Sequence, residues 1–282
     1  MKIAIASGKG GTGKTTVATN LAYMASQDGC AVAYLDCDVE EPNGHIFLQP
    51  EIEVERPIEK LVPEIDPARC THCGRCADVC RYGAIASLPK QTMVFAELCH
   101  SCGGCVLACP AHAIRETPRP IGQLRIGRSG TIRFLDGTLN VGEAMSPPAI
   151  RAVKSAALPA DLTILDAPPG TSCPVMETAR GCDRVLLVTE PTPFGLYDLT
   201  LAVEMVRAMK VAFAVVINRA DAGDGRVRQY CDRHRISILA EILDDRAVAE
   251  AYSRGEVICE AVPAFRNHIA VLLEQLTCEG RP

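Results

Sequence analysis

Ser7-Gly8-Lys9-Gly10-Gly11-Thr12-Gly13-Lys14-Thr15-Thr16 is the stretch on which the fold turns. It follows a short apolar run, Lys2 to Ala6, and precedes a segment, Val17 to Met24, whose apolar residues recur at helical spacing. A strand, a glycine loop and a helix in that order let backbone N–H groups converge on phosphate oxygens at a helix N-terminus, where the helix dipole also favours negative charge. Lys14 then reaches the β- and γ-phosphates and Thr15 binds Mg2+. We assign Gly8, Lys9, Gly10, Gly11, Thr12, Gly13, Lys14, Thr15 and Thr16 to an ATP-binding loop. A flexible Gly/Thr turn is the competing reading, and the flanking strand and helix disfavour it.

Working outward, Cys70 to Cys109 carries one cysteine pattern twice. The first copy is Cys70-Thr71-His72-Cys73-Gly74-Arg75-Cys76-Ala77-Asp78-Val79-Cys80, and the second is Cys99-His100-Ser101-Cys102-Gly103-Gly104-Cys105-Val106-Leu107-Ala108-Cys109. Both read C-x2-C-x2-C-x3-C, and Ala-Ile follows each. Four thiolates on so short a loop enclose a soft metal or a cluster. Disulfides suit small secreted domains, whereas a nucleotide loop belongs in a reducing compartment. Zinc sites usually show paired C-x2-C knuckles.

The doubled run resembles that of bacterial two-cluster ferredoxins, in which the fourth cysteine of each run ligates the other cluster. That resemblance implies one [4Fe-4S] cluster on Cys70, Cys73, Cys76 and Cys109, and another on Cys99, Cys102, Cys105 and Cys80. Arg81 stands where a proline usually follows the fourth cysteine; it adds charge and removes no ligand.

With 282 residues, 48% of them hydrophobic, the chain can bury a full α/β core and still carry a small second module. Tryptophan is absent and aromatic residues make up only 4%, which removes the stacking platforms of a single-strand nucleic-acid binder. A net charge of -5 with interspersed signs argues against a nucleic-acid surface. No apolar run reaches the roughly 18 to 20 residues that span a bilayer. Glycines and lysines interrupt the opening Met1-Lys2-Ile3-Ala4-Ile5-Ala6 at once, so it is too short for a signal peptide and the expected location is cytoplasmic.

The extra Lys9 makes the loop similar to the deviant Walker A motif of the MinD/ParA and nitrogenase iron protein group. The resemblance implies that Lys9 crosses a nucleotide-bridged dimer to the other subunit's phosphates, as an arginine finger does. Ala31 to Leu35 reads as a second buried strand, with Asp36-Cys37-Asp38-Val39-Glu40-Glu41-Pro42-Asn43 at its C-terminal end, where open α/β sheets bind ligands. That segment resembles the family's switch, which implies that Asp38 orients the attacking water and contacts the Mg2+ shell, with Asp36 in support. Leu162 to Asp166, followed by Ala167-Pro168-Pro169-Gly170-Thr171, has the shape of a Walker B strand and resembles the Mrp branch; Asp166 would hold Mg2+ through water. Cys173 lies seven residues beyond Asp166, at the offset of a cluster ligand in the nitrogenase iron protein, but no second ligand aligns. By default it is a small buried hydrophobe; the alternative is a cysteine near a dimer axis that handles transferred metal. Asn218 and Arg219 resemble the family's adenine-contacting pair.

Elsewhere, Gly44 to Pro63 reads as irregular, Ile121 to Ile126 and Thr131 to Leu135 as a hairpin, and Pro147 to Ala157 as a helix. Arg184 to Thr189, Val211 to Ile217 and Ile236 to Ile242 read as strands, and Leu196 to Met209 and Asn267 to Thr277 as helices. The tail lacks the basic amphipathic helix with which MinD proper binds membranes. Cys30, Cys37, Cys182, Cys231, Cys259 and Cys278 show no ligand spacing and default to packing, with Cys37, flanked by the switch aspartates, as the candidate exception.

The fold expected is α/β: a mostly parallel, seven- or eight-stranded P-loop NTPase sheet of the MinD type with an inserted α+β two-cluster ferredoxin domain. Residues 1–63 and 121–282 form the ATPase and 64–120 the insert, bounded by proline at both edges and folding alone. The resemblance implies ATP or ADP, Mg2+ and two [4Fe-4S] clusters as cofactors, and Lys9, Lys14 and Asp38 as catalytic residues. It also implies a homodimer, or a heterodimer with a related ATPase, and a redox or metal-cluster-handling partner, with no nucleic acid and no membrane anchor. The leading function is an ATP-switched transfer of electrons or clusters to that partner. A positioning or scaffold switch with structural clusters, and an electron carrier with vestigial ATP binding, are the alternatives.

Overall fold

The structure, a computed structural model, describes residues 1–278, with side chains through Leu276. The expected packing role of Cys278 therefore concerns a side chain outside those described. In chain order the strands are β1 (Lys2–Ala6), β2 (Val32–Asp36), β3 (Glu51–Ile65), β4 (Ile85–Leu88), β5 (Gln91–Val94), β6 (Ile114–Ser129), β7 (Ile132–Leu139), β8 (Leu162–Asp166), β9 (Arg184–Thr189), β10 (Ala212–Asn218) and β11 (Ile238–Ile242). Nine of them form one sheet in the order β11-β10-β9-β1-β8-β2-β7-β6-β3. From β11 to β7 the strands run parallel, while β6 is antiparallel to both of its neighbours.

Central strands are near-continuous apolar runs because both faces of a parallel sheet are covered. Alternation then deals side chains to two cores. Ile3 and Ile5 pack under the helices Lys14–Gln27 and Pro263–Cys278, whereas Ala4 and Ala6 face the helices Pro147–Ala156 and Pro193–Met209. No described helix is long and apolar enough to cross a membrane.

The stretch expected to be irregular, residues 44–63, is instead a short helix, Gly44–Leu48, and the fifteen-residue β3. The expected hairpin is present but longer, and β3 adds to it, so the sheet has nine strands rather than seven or eight. Proline misled the reading in both places. Pro57 and Pro63 lie on β3, the edge strand, and Pro118 and Pro120 lie on the part of β6 that pairs with β3 alone. Each has one side free of a ladder, where a missing N–H costs no hydrogen bond. β3 and β6 thus form a continuous antiparallel ribbon from Glu51 opposite Arg128 to Ile65 opposite Ile114, with the cysteine segment at its tip.

That tip contains the helices Arg75–Val79 and Gly104–Ala108, the β4–β5 hairpin and a small core of Val62, Ala84 and Cys99. A buried charge cluster ties it to the body. Lys60 on β3 lies 3.3 Å from Glu143 and donates to the Glu97 carbonyl, also at 3.3 Å, and Arg119 on β6 pairs with both Glu143 and Glu97.

Candidate functional site

The loop after β1 wraps the N-terminus of the helix Lys14–Gln27. Gly11 and Gly13 take left-handed φ values of 79° and 92°, a region open to glycine at little cost. Space above Gly10 and Gly11 is empty to 4 Å, as a phosphate cradle requires. Asn218 at the end of β10 donates its Nδ2 to the Thr12 carbonyl at 2.9 Å, and a methyl group on Gly13 would collide with that amide. Asn218 therefore pins the loop.

A cavity of about 430 Å3 opens beside it, within the size range of small-molecule sites. Gly10 to Thr16, Asp38, Asn218 and Arg219 line it, together with Glu41 and Asn43 of the segment that resembles the switch and with Tyr252, which the sequence did not single out. Asp244 and Asp245, from the segment after β11, also face it. Gly8 and Lys9 are not in this wall. Gly8 packs on the backbone of Asp198, and Lys9 points away to Glu190, 3.5 Å off. Glu190 also accepts from Arg219 at 2.6 Å, so one carboxylate at the end of β9 holds both cations. Its position at a parallel strand's C-terminal end was the available signal.

Parallel pairing sets Asp36 and Asp166 side by side at the ends of β2 and β8. Asp36 is fully buried and accepts from the backbone N–H groups of Asp38, Asn43 and Gly44 at 3.1, 3.1 and 2.8 Å. It thereby shapes the whole Asp38-to-Gly44 turn. Burial, and then the neighbouring Asp166 charge, push its carboxyl well above the usual range. Asp38 is raised to about 6, chiefly by burial, with Lys14 opposing and Asp166 adding. Asp166 accepts from the Tyr34 hydroxyl at 3.1 Å through one oxygen; the other is buried without a hydrogen bond, 3.7 Å from Lys14 Nζ. The orphaned Asp166 oxygen, the Asp38 carboxylate and the Thr15 hydroxyl are hard-oxygen donors of the kind that Mg2+ takes. Tyr34 was not foreseen, because nothing local to β2 indicates that its hydroxyl reaches a carboxylate on β8.

Each implied cysteine quartet lines one cavity. Cys70, Cys73, Cys76 and Cys109 share the first with Ile65 and Ile114, and Cys80, Cys99, Cys102 and Cys105 share the second with Pro63 and Ile85. Burial raises the Cys76 thiol, with Cys70 and Cys109 adding, and burial raises Cys105, with Cys99 and Cys102 adding. All described cysteines are free thiols, and among the described residues no group of three or more His, Cys, Asp or Glu side chains converges on a single-ion position. Four soft donors around a void fit an iron-sulfur cluster.

Cys173 is exposed at the start of the helix Cys173–Ala179. It borders a cleft between tip and body whose wall includes Glu40 from the Asp38 turn, Ser146, and Tyr82 and His100 from the tip. Tyr82 and His100 also line the second cysteine cavity, so this quartet adjoins the body.

Residues 3–258 match the model of the CobQ/CobB/MinD/ParA nucleotide binding domain. An uncharacterized protein of Methanocaldococcus jannaschii is 35% identical over 280 residues, covering 98% of this chain and 96% of that relative. An iron-sulfur cluster carrier protein of Pyrococcus abyssi is 25% identical over 269 residues, covering 90% and 77% of the two chains. Among solved structures, the septum site-determining protein MinD of Pyrococcus horikoshii, complexed with Mg-ADP, superposes with a TM-score of 0.60 at 19% identity, covering 98% of this chain and 95% of that one.

Proposed function

This chain belongs to the CobQ/CobB/MinD/ParA nucleotide-binding family, and from that premise we propose that it is a Mg2+-dependent ATPase whose nucleotide-driven dimer switch governs electron transfer, or cluster delivery, from two iron-sulfur sites to a partner protein. The observation that carries the proposal is the cleft in which Glu40, two residues from Asp38, meets Tyr82 and His100 of the cysteine tip. In this reading a change in the Asp38 turn on nucleotide binding reaches the tip at this cleft, and the Lys60–Glu143–Arg119 cluster supports it by joining the tip to the body.

In this reading the 10–16 loop grips the phosphates, Lys14 neutralises developing charge, and Asp38, ionised, aligns the attacking water. Thr15, Asp38 and Asp166 would hold Mg2+, which supplies electrophilic charge to the phosphoryl oxygens when bound. Lys9, paired with Glu190 in the single chain, exchanges that partner for the other subunit's phosphates on dimer closure. The two cysteine quartets would hold the clusters, which supply one-electron chemistry when bound. The chain's likeness to relatives named iron-sulfur cluster carriers favours delivery as the second reading. Enclosure of each quartet in its own cavity favours retained clusters.

Anaerobically purified protein mixed with ATP, and separately with a nonhydrolysable analogue, in a stopped-flow spectrometer tests the proposal. A nucleotide-dependent change in the cluster absorption or in its rate of reoxidation is expected; clusters indifferent to both nucleotides would refute the coupling.

A further inference from the structure

The two cysteine sites arise from one repeated motif, yet their surroundings differ at matched positions. At the site away from the body, Cys70 Sγ lies 3.7 Å from His72 Nδ1 and 3.7 Å from Thr92 Oγ1, and these two atoms are 3.2 Å apart. Thr71 and the Arg75 N–H donate to Cys73, and the Ala113 N–H donates to Cys109 at 3.2 Å. At the site beside the body, the repeat puts His100 where Thr71 stands and Ser101 where His72 stands. His100 is stacked on Tyr82, ring centroids 3.4 Å apart, and the Ser101 hydroxyl is given to the Leu61 carbonyl at 2.6 Å. The donors there are backbone: the Ser101 N–H, 3.4 Å from Cys99 Sγ, and the Val106 N–H on Cys105, which the Ala77 N–H on Cys76 matches at the outer site. His72 and Ser101 share the same left-handed φ of 55°, so the backbone repeats while the side-chain donors do not.

A hydrogen bond to a ligand sulfur stabilises the more negative, reduced state and raises the potential. Fixed charge does not reverse the difference. Arg75 stands beside the outer site and Arg81 beside the inner one, both exposed and screened, and Lys60 near His100 is neutralised by Glu143.

We propose that the two sites are electrically unequal, the Cys70/Cys73/Cys76/Cys109 site holding an electron more tightly than the Cys80/Cys99/Cys102/Cys105 site, with His72 and Thr92 as the residues that set the difference. The proposal rests on the reading of both quartets as iron-sulfur sites. One electron delivered by a low-potential one-electron donor protein resides at the outer site, which is reduced while the inner site stays oxidised; no bond breaks and no proton moves. Electrons then pass outward, from the nucleotide-bearing body to the exposed tip, where a partner collects them.

An EPR-monitored redox titration of the full-length anaerobic protein tests this. Two one-electron steps are expected. Cys73→Ser alters the signal of the higher step and Cys102→Ser that of the lower. Thr92→Val, which keeps the side-chain volume, and His72→Ala each lower the higher step by about tenfold in electron affinity, about 59 mV, and leave the other in place; Thr92→Ser restores it. Coincident steps in the wild type, a higher step that ignores both substitutions, or a Cys102→Ser change appearing in the higher step would overturn the inference. Iron too scarce for two four-iron sites would instead overturn the reading beneath it.

Discussion

Replacing Asp38 by Asn separates the cost of this carboxylate in the empty site from its use with nucleotide. Its pKa is raised from 3.8 to about 6, chiefly by burial, with the Asp166 charge adding. An acid raised on folding binds more protons folded than unfolded, so its penalty is absent below pH 4, grows as pH climbs to 6 and is constant above. The full displacement corresponds to about 3 kcal/mol. Asp38 is partly exposed, and screening leaves about 1 kcal/mol. Nucleotide-free Asp38→Asn protein should therefore melt about 2 °C above wild type at pH 7.5, with only about a third of that gain left at pH 4.5. Mg-ATP should reverse the order, because a hundredfold excess over Kd adds about 2.7 kcal/mol to whichever protein binds it and, on the proposed function, Asp38→Asn would lose a metal contact. Scanning calorimetry at the two pH values, with and without Mg-ATP, reads all four states. A gain equal at both pH values, or none at either, would refute the account of an ionised carboxylate held at a cost.

Gly13→Ala places a side chain at a φ of 92° and against the Asn218 amide, so isothermal titration should show nucleotide binding lost. Asn218→Ala removes the hydrogen bond to Thr12, worth about 1 kcal/mol, and part of the cavity wall, and should weaken binding by at least about fivefold. Glu143→Ala strands Lys60 as a buried, unpaired cation at a cost of about 3 to 5 kcal/mol; hydrogen exchange should quicken in β3 and β6 while ATP affinity holds. Lys9→Ala should keep wild-type nucleotide affinity, since Lys9 lies outside the cavity wall, and slow hydrolysis by about 10^3 or more. Hydrolysis at the wild-type rate would remove its cross-subunit role.

Much of the body could be read directly. Arg184 to Thr189 is a strand with those bounds, and Leu162 to Asp166 ends on the expected aspartate, because apolar runs closed by turn residues are local signals. Proline was the misleading signal. Along 44–63 and at 118–120 it suggested interruption, while in the fold those residues occupy a ribbon with an unpaired side. The closing helix begins at Pro263 rather than Asn267, since proline fits a first helical turn. At the site, Glu190 and Tyr34 were missed because their partners lie on other strands or loops, Lys9 and Arg219 for one and Asp166 for the other.

Spacing along the chain was sufficient to mark the phosphate loop and the two cysteine runs, since covalent geometry limits how far apart residues two or three positions removed can reach; the exchange of the fourth cysteine between the runs came from the resemblance to two-cluster ferredoxins. Which carboxylates share a strand end, where Asn218 fastens the loop and which quartet adjoins the body were settled by sheet register and by the packing of the tip. Those arrangements depend on side chains distant in sequence being buried together, and a pattern read along one segment holds no record of what another segment packs against it.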